Sequence, residues 1–321
     1  MSPTDQAALN AAFTSVPVLI TGGAGFIGSH LAHRLVELGA DVRVLDDLSG
    51  GFRENVPPGA ELRAASILDD DALREMIRGC AYVFHEAAMV SVPESVEKPE
   101  ECLRVNIEGT QRILLAARDA GVKRVVFAAS AAAYGEKPRL PSSESHAPDC
   151  CSPYAASKVA GETLLRAFAN CFGLSTISLR YFNIFGPRQN PDSPYAAVIS
   201  AFTRMLTQKR QPTLFGDGTQ TRDFTYIDNV VHANLLAAAS SKPLAGEVVN
   251  IGTGRRISLL EVLKVMGKLL DFEVKPSFGP PRPGDVPHSQ SDISRARELL
   301  GYEPIVSFEE GMKRTLAAAS A

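Results

Sequence analysis

Val18-Leu19-Ile20-Thr21-Gly22-Gly23-Ala24-Gly25-Phe26-Ile27-Gly28 decides how this chain folds. An apolar, mostly β-branched run meets three glycines spaced three apart, and an amphipathic segment follows from Phe26 to Leu38. The pattern predicts strand, tight turn, helix. Gly22 permits the sharp turn, Gly25 lets backbone approach a pyrophosphate, and Gly28 lets the helix pack close to the strand. The helix N-terminus, with its unpaired N–H groups, then faces the phosphates. A second strand, Asp41-Val42-Arg43-Val44-Leu45-Asp46, ends in an acid 18 positions after Gly28, where a carboxylate grips a ribose diol. A glycine-rich turn with no ligand is the plainer alternative, and the acid at this spacing favours a dinucleotide. Asp46 and Asp47 put negative charge where the 2′-phosphate of NADP would sit, and no Arg directly follows Asp46, so the expected cofactor is NAD.

The chain of 321 residues is long enough for a large domain with a smaller lobe. A net charge of −3 points to neither a nucleic-acid nor a membrane-surface partner. No apolar run is long enough to span a bilayer, and residues 1–15 lack the basic start and apolar core of a signal peptide. They read as a flexible leader, and the chain as cytoplasmic. The cysteines, Cys80, Cys102, Cys150, Cys151 and Cys171, form no metal-type pair and the histidines are scattered, so no metal site is expected. Two ordinary thiols are the expected state of the vicinal Cys150-Cys151, ahead of a redox switch.

Strand and helix patterns alternate as far as Gly186. A third strand is expected at Glu61–Ala65, a helix over Asp69–Arg78, a fourth strand from Tyr82 to His85 and one long helix from about Pro99 to Ala120. Arg124–Ser130 is a fifth strand, Pro153–Phe172 a helix and Thr176–Tyr181 a sixth strand. This alternation implies a Rossmann-type α/β fold, a doubly wound parallel sheet covered on both faces. Residues 16–186 form the expected NAD-binding domain, with a return strand and helix near 225–251. Residues 187–321 form mainly a smaller substrate lobe, with helices near 196–208 and 258–270 and proline-rich loops at 187–194 and 278–287. It should close over the C-terminal edge of the sheet, where ligands bind in open α/β folds.

Tyr154-Ala155-Ala156-Ser157-Lys158 carries the chemistry, with Ser130 at a strand end 24 residues upstream. Tyr and Lys four apart share one helix face. A neighbouring ammonium and a positive nicotinamide ring favour the phenolate, bringing a group that ionises near pH ~10 toward working pH. Ser130 is placed to hold a substrate hydroxyl. An ordinary surface helix is the bland alternative, which the position right after the fifth strand disfavours.

At these residues the chain resembles the extended short-chain dehydrogenases/reductases that act on nucleotide sugars. The resemblance covers about residues 17 to 315. It rests on Thr21-Gly-Gly-Ala-Gly-Phe-Ile-Gly28, His85-Glu-Ala-Ala88, Asn106, Ser130 with Tyr134-Gly135, Tyr154-x-x-x-Lys158, Arg180-Tyr-Phe-Asn-Ile-Phe-Gly-Pro187, Gly216-Asp-Gly218, Thr221-Arg-Asp-Phe224, Asn250-Ile-Gly252 and Arg282-Pro-Gly-Asp285. It implies that Asp46 binds the adenosine ribose and that Ala87, Asn106, Lys158 and Tyr181 contact NAD. Gly22, Gly25, Phe26, Ile27, Gly28, Asp47, Ser66 and Ile67 complete the implied cofactor site. Ser130 and Tyr154 would meet the sugar hydroxyl, with Lys158 as the third catalytic residue. Asn183, Val198, Phe215, Arg222, Arg282, Asp285 and Ser289 would hold the nucleoside diphosphate sugar, the guanidinium groups on phosphate.

Two departures narrow the activity. Ser66 stands where the family usually has an Asp touching adenine, so that contact is weaker or moved. Ala131 and Ala132 stand where dehydratases and decarboxylases place an acid after the serine. What the resemblance then implies is 4-epimerisation of a UDP-hexose through a 4-keto intermediate. UDP-glucuronate 4-epimerisation is the alternative, and a non-catalytic NAD-binding sensor a more distant one. Ser289, four residues after Asp285, stands where a Tyr restricts family members to glucose and galactose. The small residue implies room for N-acetyl groups, and Arg188-Gln189-x-Pro191 and Tyr195-Ala-Ala-Val-Ile199 also resemble epimerases of N-acetylhexosamines. A homodimer through the helices near 99–120 and 153–172 is the implied assembly.

Overall fold

The computed structural model describes residues 3–190, 198–281 and 286–320, with side chains from residue 6 onward. Its centre is one parallel sheet of seven strands in the order Ala245–Ile251, Ser175–Tyr181, Arg124–Ser130, Tyr82–His85, Pro17–Thr21, Asp41–Asp46 and Glu61–Ala64. Val18, Leu19 and Ile20 are fully buried, as expected of a strand covered on both faces. One apolar layer joins the sheet to helices Phe26–Glu37 and Ile227–Ala239. The other joins it to Asp70–Ile77, Gly109–Asp119 and Pro153–Phe172. The chain runs outward from Pro17–Thr21 to Glu61–Ala64, then returns to lay Tyr82–His85 on the opposite side. That reversal opens a crevice at the strands' C-terminal ends.

Two expectations need correction. The leader is not loose: Pro3–Phe13 is a helix, with Leu9 at 2% and Phe13 at 0% exposure. Its sequence shows no strong amphipathic pattern, and two buried apolar side chains suffice to dock it on the sheet's helical layer. The long helix is also not continuous. Pro99–Leu103 passes into a wider π-type stretch, Arg104–Glu108, before Gly109–Asp119 resumes the α-helix, and a separate helix, Val92–Glu97, precedes it. Such a bulge re-aims side chains at the cost of regular hydrogen bonding, and here it turns Asn106 inward.

Beyond Gly186 three helices, Val198–Thr207, Leu259–Leu270 and Phe308–Ser320, pack on one another. Ser258 and Glu261 form a reciprocal cap at the second of these. Short strand pairs join Ile184–Phe185 to Thr225–Tyr226, Thr221–Arg222 to Ile257–Ser258, and Thr213–Phe215 to Ser277–Gly279. The helix Ile227–Ala239 packs on the sheet and the strand Ala245–Ile251 joins its edge.

Candidate active site

The glycine turn is shaped by close approaches. Gly22 has φ +72°, and a Cβ there would stand 2.7 Å from Ala87 N. A Cβ on Gly28 would collide with the Gly22 carbonyl, so only glycine lets this helix begin against the strand. Gly25 is different: its added Cβ would meet only the Gly22 carbonyl, at 3.3 Å, and its outer side is open to a ligand. Asp46 fastens the loop, accepting from Ala24 N at 2.9 Å and from Leu48 N at 2.8 Å. Burial raises its carboxyl pKa, and these N–H bonds offset part of the rise. Phe26 and Ile27 begin the helix. Asp47 caps its own turn through Ser49 N at 3.0 Å.

Ser66 and Ile67 lie just past the edge strand. The Ser66 hydroxyl accepts from Leu68 N at 3.2 Å, and Ile67 is buried beneath Gly109. On the other side of the crevice, Asn106 holds the segment after the fourth strand. It accepts from Met89 N at 2.8 Å and donates to Met89 O at 3.0 Å and to Ser157 Oγ at 2.9 Å. His85, beneath it, bridges Thr21 Oγ1 at 2.8 Å and Thr110 Oγ1 at 2.9 Å. Burial, with the charge of Lys158, pushes its pKa down to about 3, so it remains a neutral strut.

Ser130 ends the fifth strand, and Pro153–Phe172 brings Tyr154 and Lys158 beside it. Ser152 caps that helix through Ala155 N at 3.1 Å, and Pro153 takes the first turn, where its missing N–H costs nothing. The Ser130 hydroxyl accepts from Ala132 N at 3.1 Å and lies near enough to the Tyr154 phenol to lower its pKa. Lys158 is 3% exposed, donates to Ala128 O at 2.8 Å and lies 5.9 Å from the Tyr154 ring centroid. The ammonium therefore covers the ring face. Burial raises the Tyr154 pKa, Ser130 lowers it, and Cys102 and Glu86 raise it further. In the chain alone the tyrosine is held protonated; the lowering expected from the sequence counts on a positive nicotinamide ring as well as on Lys158. Burial also brings Lys158 down to about 8, offset in part by Glu86.

Some of the residues expected to hold the substrate come together. Asn183 donates to Ser289 Oγ at 3.0 Å, so two expected ligands that lie 106 positions apart meet. Arg222 donates to Thr221 O at 3.0 Å, Phe215 ends a short strand, and Val198 begins a helix, half-buried. Arg282 and Asp285 lie outside the described residues. Tyr181, expected against the cofactor, donates to Glu86 Oε1 at 2.9 Å and accepts from Asn234 at 2.8 Å. Among the described residues no group of His, Cys, Asp and Glu is placed to hold a metal.

Three residues escaped the sequence reading. Glu86 was visible inside a quoted motif, and an acid at the C-terminal end of a buried strand was the signal. Ser157 donates to Tyr154 O at 2.8 Å and accepts from Asn106, linking the helix Pro153–Phe172 to the crevice wall. Asp223, fully buried, accepts from Thr253 N, Thr253 Oγ1, Gly254 N, Ser291 N and Ser291 Oγ at 2.5–3.0 Å.

Residues 18–252 match the model of the NAD dependent epimerase/dehydratase family. The chain belongs to that family. It is 39% identical over 305 residues to the UDP-glucose 4-epimerase of Mycolicibacterium smegmatis, covering 93% of this chain and 96% of that one. The crystal structure of the Thermotoga maritima UDP-glucose 4-epimerase with UDP-glucose superposes with TM-score 0.89 at 40% identity, covering 94% and 97% of the two chains. The UDP-N-acetylglucosamine 4-epimerase of Methanobrevibacter ruminantium M1, in complex with UDP-N-acetylmuramic acid, gives 0.91 at 35% identity, covering 95% and 98%. The family's NAD fits the crevice on this structure's own terms: an open face at Gly25, a buried acid at the second strand's end, and a lysine and tyrosine at the fifth strand's end.

Proposed function

We propose that the chain is an NAD-dependent 4-epimerase of UDP-hexoses, accepting UDP-glucose/UDP-galactose and also UDP-GlcNAc/UDP-GalNAc. The observation that carries this reading is Tyr154 with Ser130 beside it and Lys158 over its ring, next to a turn, Ala131–Tyr134, that offers no carboxylate. A dehydratase or decarboxylase needs a further acid at that turn. The glycine turn, Asp46 and Lys158 would hold NAD, which would supply the hydride acceptor for the sugar C4 and a positive charge that favours the phenolate. Tyr154 takes the proton from the sugar O4 and later returns it. Ser130 fixes that hydroxyl by hydrogen bond and stabilises the phenolate. Lys158 keeps positive charge over the ring, so an unfavourable buried anion forms only during turnover. The sugar turns about its diphosphate between the two proton transfers, and no net oxidation accumulates.

Incubating the protein with UDP-galactose, without added reductant, is expected to yield UDP-glucose, and UDP-GlcNAc to yield UDP-GalNAc. Conversion of UDP-glucuronate alone overturns the hexose reading, and conversion of nothing overturns the enzyme. Ser289→Tyr in the same assay is expected to abolish the N-acetyl reaction and leave the hexose reaction standing. Ser289 Oγ already lies against Asn183, so a phenol ring there fills space at the substrate side. A Tyr variant that still converts UDP-GlcNAc refutes the gatekeeper role.

We also infer a homodimer across the helices near 99–120 and 153–172. Leu103 is 40% and Phe172 53% exposed at opposite ends of this pair, and Val96 nearby is 62% exposed. Exposed apolar side chains on and beside these helices support an isologous interface. Light scattering should give the mass of two chains, and a monomer at all concentrations refutes it. Among the described residues no helix is long and apolar enough to cross a membrane, and five free thiols support a reducing, cytoplasmic setting.

A further inference from the structure

Glu86 follows the fourth strand, and its backbone N–H donates to Thr21 O at 3.1 Å, across the reversal of strand order. Its Oε1 accepts from the Tyr181 hydroxyl at 2.9 Å, and that hydroxyl accepts from Asn234 Nδ2 at 2.8 Å. Its Oε2 is sealed from solvent and has no hydrogen-bond partner among the described residues. A buried carboxylate oxygen ordinarily finds a donor, so an idle one asks for a reason. The ionisable groups facing it are Lys158 and Tyr154 from the catalytic helix and Tyr181 from the sixth strand; Asn234, from the helix Ile227–Ala239, is neutral. Burial pushes the carboxyl up to about 7, while Tyr181 and Lys158 pull it down. Neighbouring Ala87, Lys158 and Tyr181 are the residues assigned above to the cofactor.

We propose that Glu86 is the counter-charge of the cofactor site: its carboxylate, held by Tyr181 and facing Lys158, favours bound NAD in its oxidised, positively charged form over the neutral reduced form. The inference rests on the assignment of this crevice to NAD. When the sugar is oxidised, hydride leaves C4 with its bonding pair, the O4 proton goes to Tyr154 and the positive ring is neutralised. Reduction thus removes the charge that Glu86 stabilises. The carboxylate thereby drives hydride back to the sugar before the 4-keto product can leave and strand the enzyme reduced. Nothing outside sugar, cofactor and Tyr154 is consumed.

The test is the midpoint potential of NAD bound in the holoenzyme, equilibrated against a mediator dye across neutral pH. Glu86→Gln keeps an acceptor for Tyr181 and removes the charge. Its bound NAD is expected to be reduced about tenfold more readily, ~30 mV higher for a two-electron couple. The sign with pH follows from the carboxyl. The difference from wild type is full above its pKa and disappears as pH falls through it, at or below 7 because the positive ring lowers it further. Glu86→Asp, which restores the charge, moves the potential back toward wild type. If Glu86→Gln does not fold, the wild-type potential alone decides, since it should bend with pH where Glu86 protonates. Equal potentials, a gap indifferent to pH, or an unbent wild-type line overturns the inference and leaves the epimerase reading intact. A wild-type protein that binds no NAD overturns both.

Discussion

Tyr154→Phe is expected to cut turnover by at least ~100-fold, the contribution of a positioned general acid–base group. Only a hydroxyl is lost. The backbone N–H of Tyr154 still donates to Ser95 Oγ at 3.2 Å, and the ring still lies beneath Lys158. The fold, the glycine turn and bound NAD should therefore survive, which measuring NAD released on denaturation will check. Burial holds Tyr154 protonated in the chain alone, so wild-type activity should also fall as pH drops away from the tyrosine's pKa, and the Phe variant's residual rate should lose that dependence. Near-normal turnover in the variant removes Tyr154 from the reaction.

Asp223→Asn is expected to have the largest effect on stability. Oδ1 takes the Thr253 amide and hydroxyl, and Oδ2 takes the amides of Gly254 and Ser291 and the Ser291 hydroxyl. Asparagine turns one of these acceptors into a donor facing donors, whichever way its amide is flipped. At least one buried N–H loses its partner, a loss of about 3 kcal/mol with the charge included. For a chain of this size that is a fall in Tm of roughly 4–6 °C, read by calorimetry. UDP-sugar affinity should weaken before NAD affinity, because Asp223 ties together Thr253, Gly254 and Ser291, beside Ser289. A variant with unchanged Tm shows that the network relaxes around the amide.

The sheet and the glycine turn were legible because their periods are local: alternating apolar runs, three glycines, one acid at the next strand's end. That Tyr154 and Lys158 lie together was legible for the same reason, since four residues on a helix fix a shared face. Asp223 was not. Its partners lie 30 and 68 positions away, and nothing near it in sequence predicts a five-donor nest. The π-type stretch around Asn106 was hidden because its apolar spacing looks helical, while the inward turn comes from Met89 and Ser157 on other segments. The upward push that burial gives the tyrosine's pKa was not legible, because charge spacing is visible in sequence and burial is not. Docking of the first helix by Leu9 and Phe13 was likewise a tertiary matter.

The edge strand Ala245–Ile251 has a consequence for how the molecule is made. It lies beside Ser175–Tyr181, yet much of the substrate lobe is spelled out between them. Arg124 waits on the same stretch: its guanidinium caps the helix before this strand, donating to Ala237 O and Ser240 O at 2.8 Å and Lys242 O at 3.0 Å. A nascent chain that has emerged only as far as residue 186 thus holds a six-stranded sheet with a bare edge and a buried-side arginine lacking its carbonyls. Closing that edge requires a long loop to form first, which is slow and leaves strand edges open to wrong partners. The nucleotide half precedes the substrate lobe in the sequence, yet its sheet edge has no partner strand until residues 245–251 have been made.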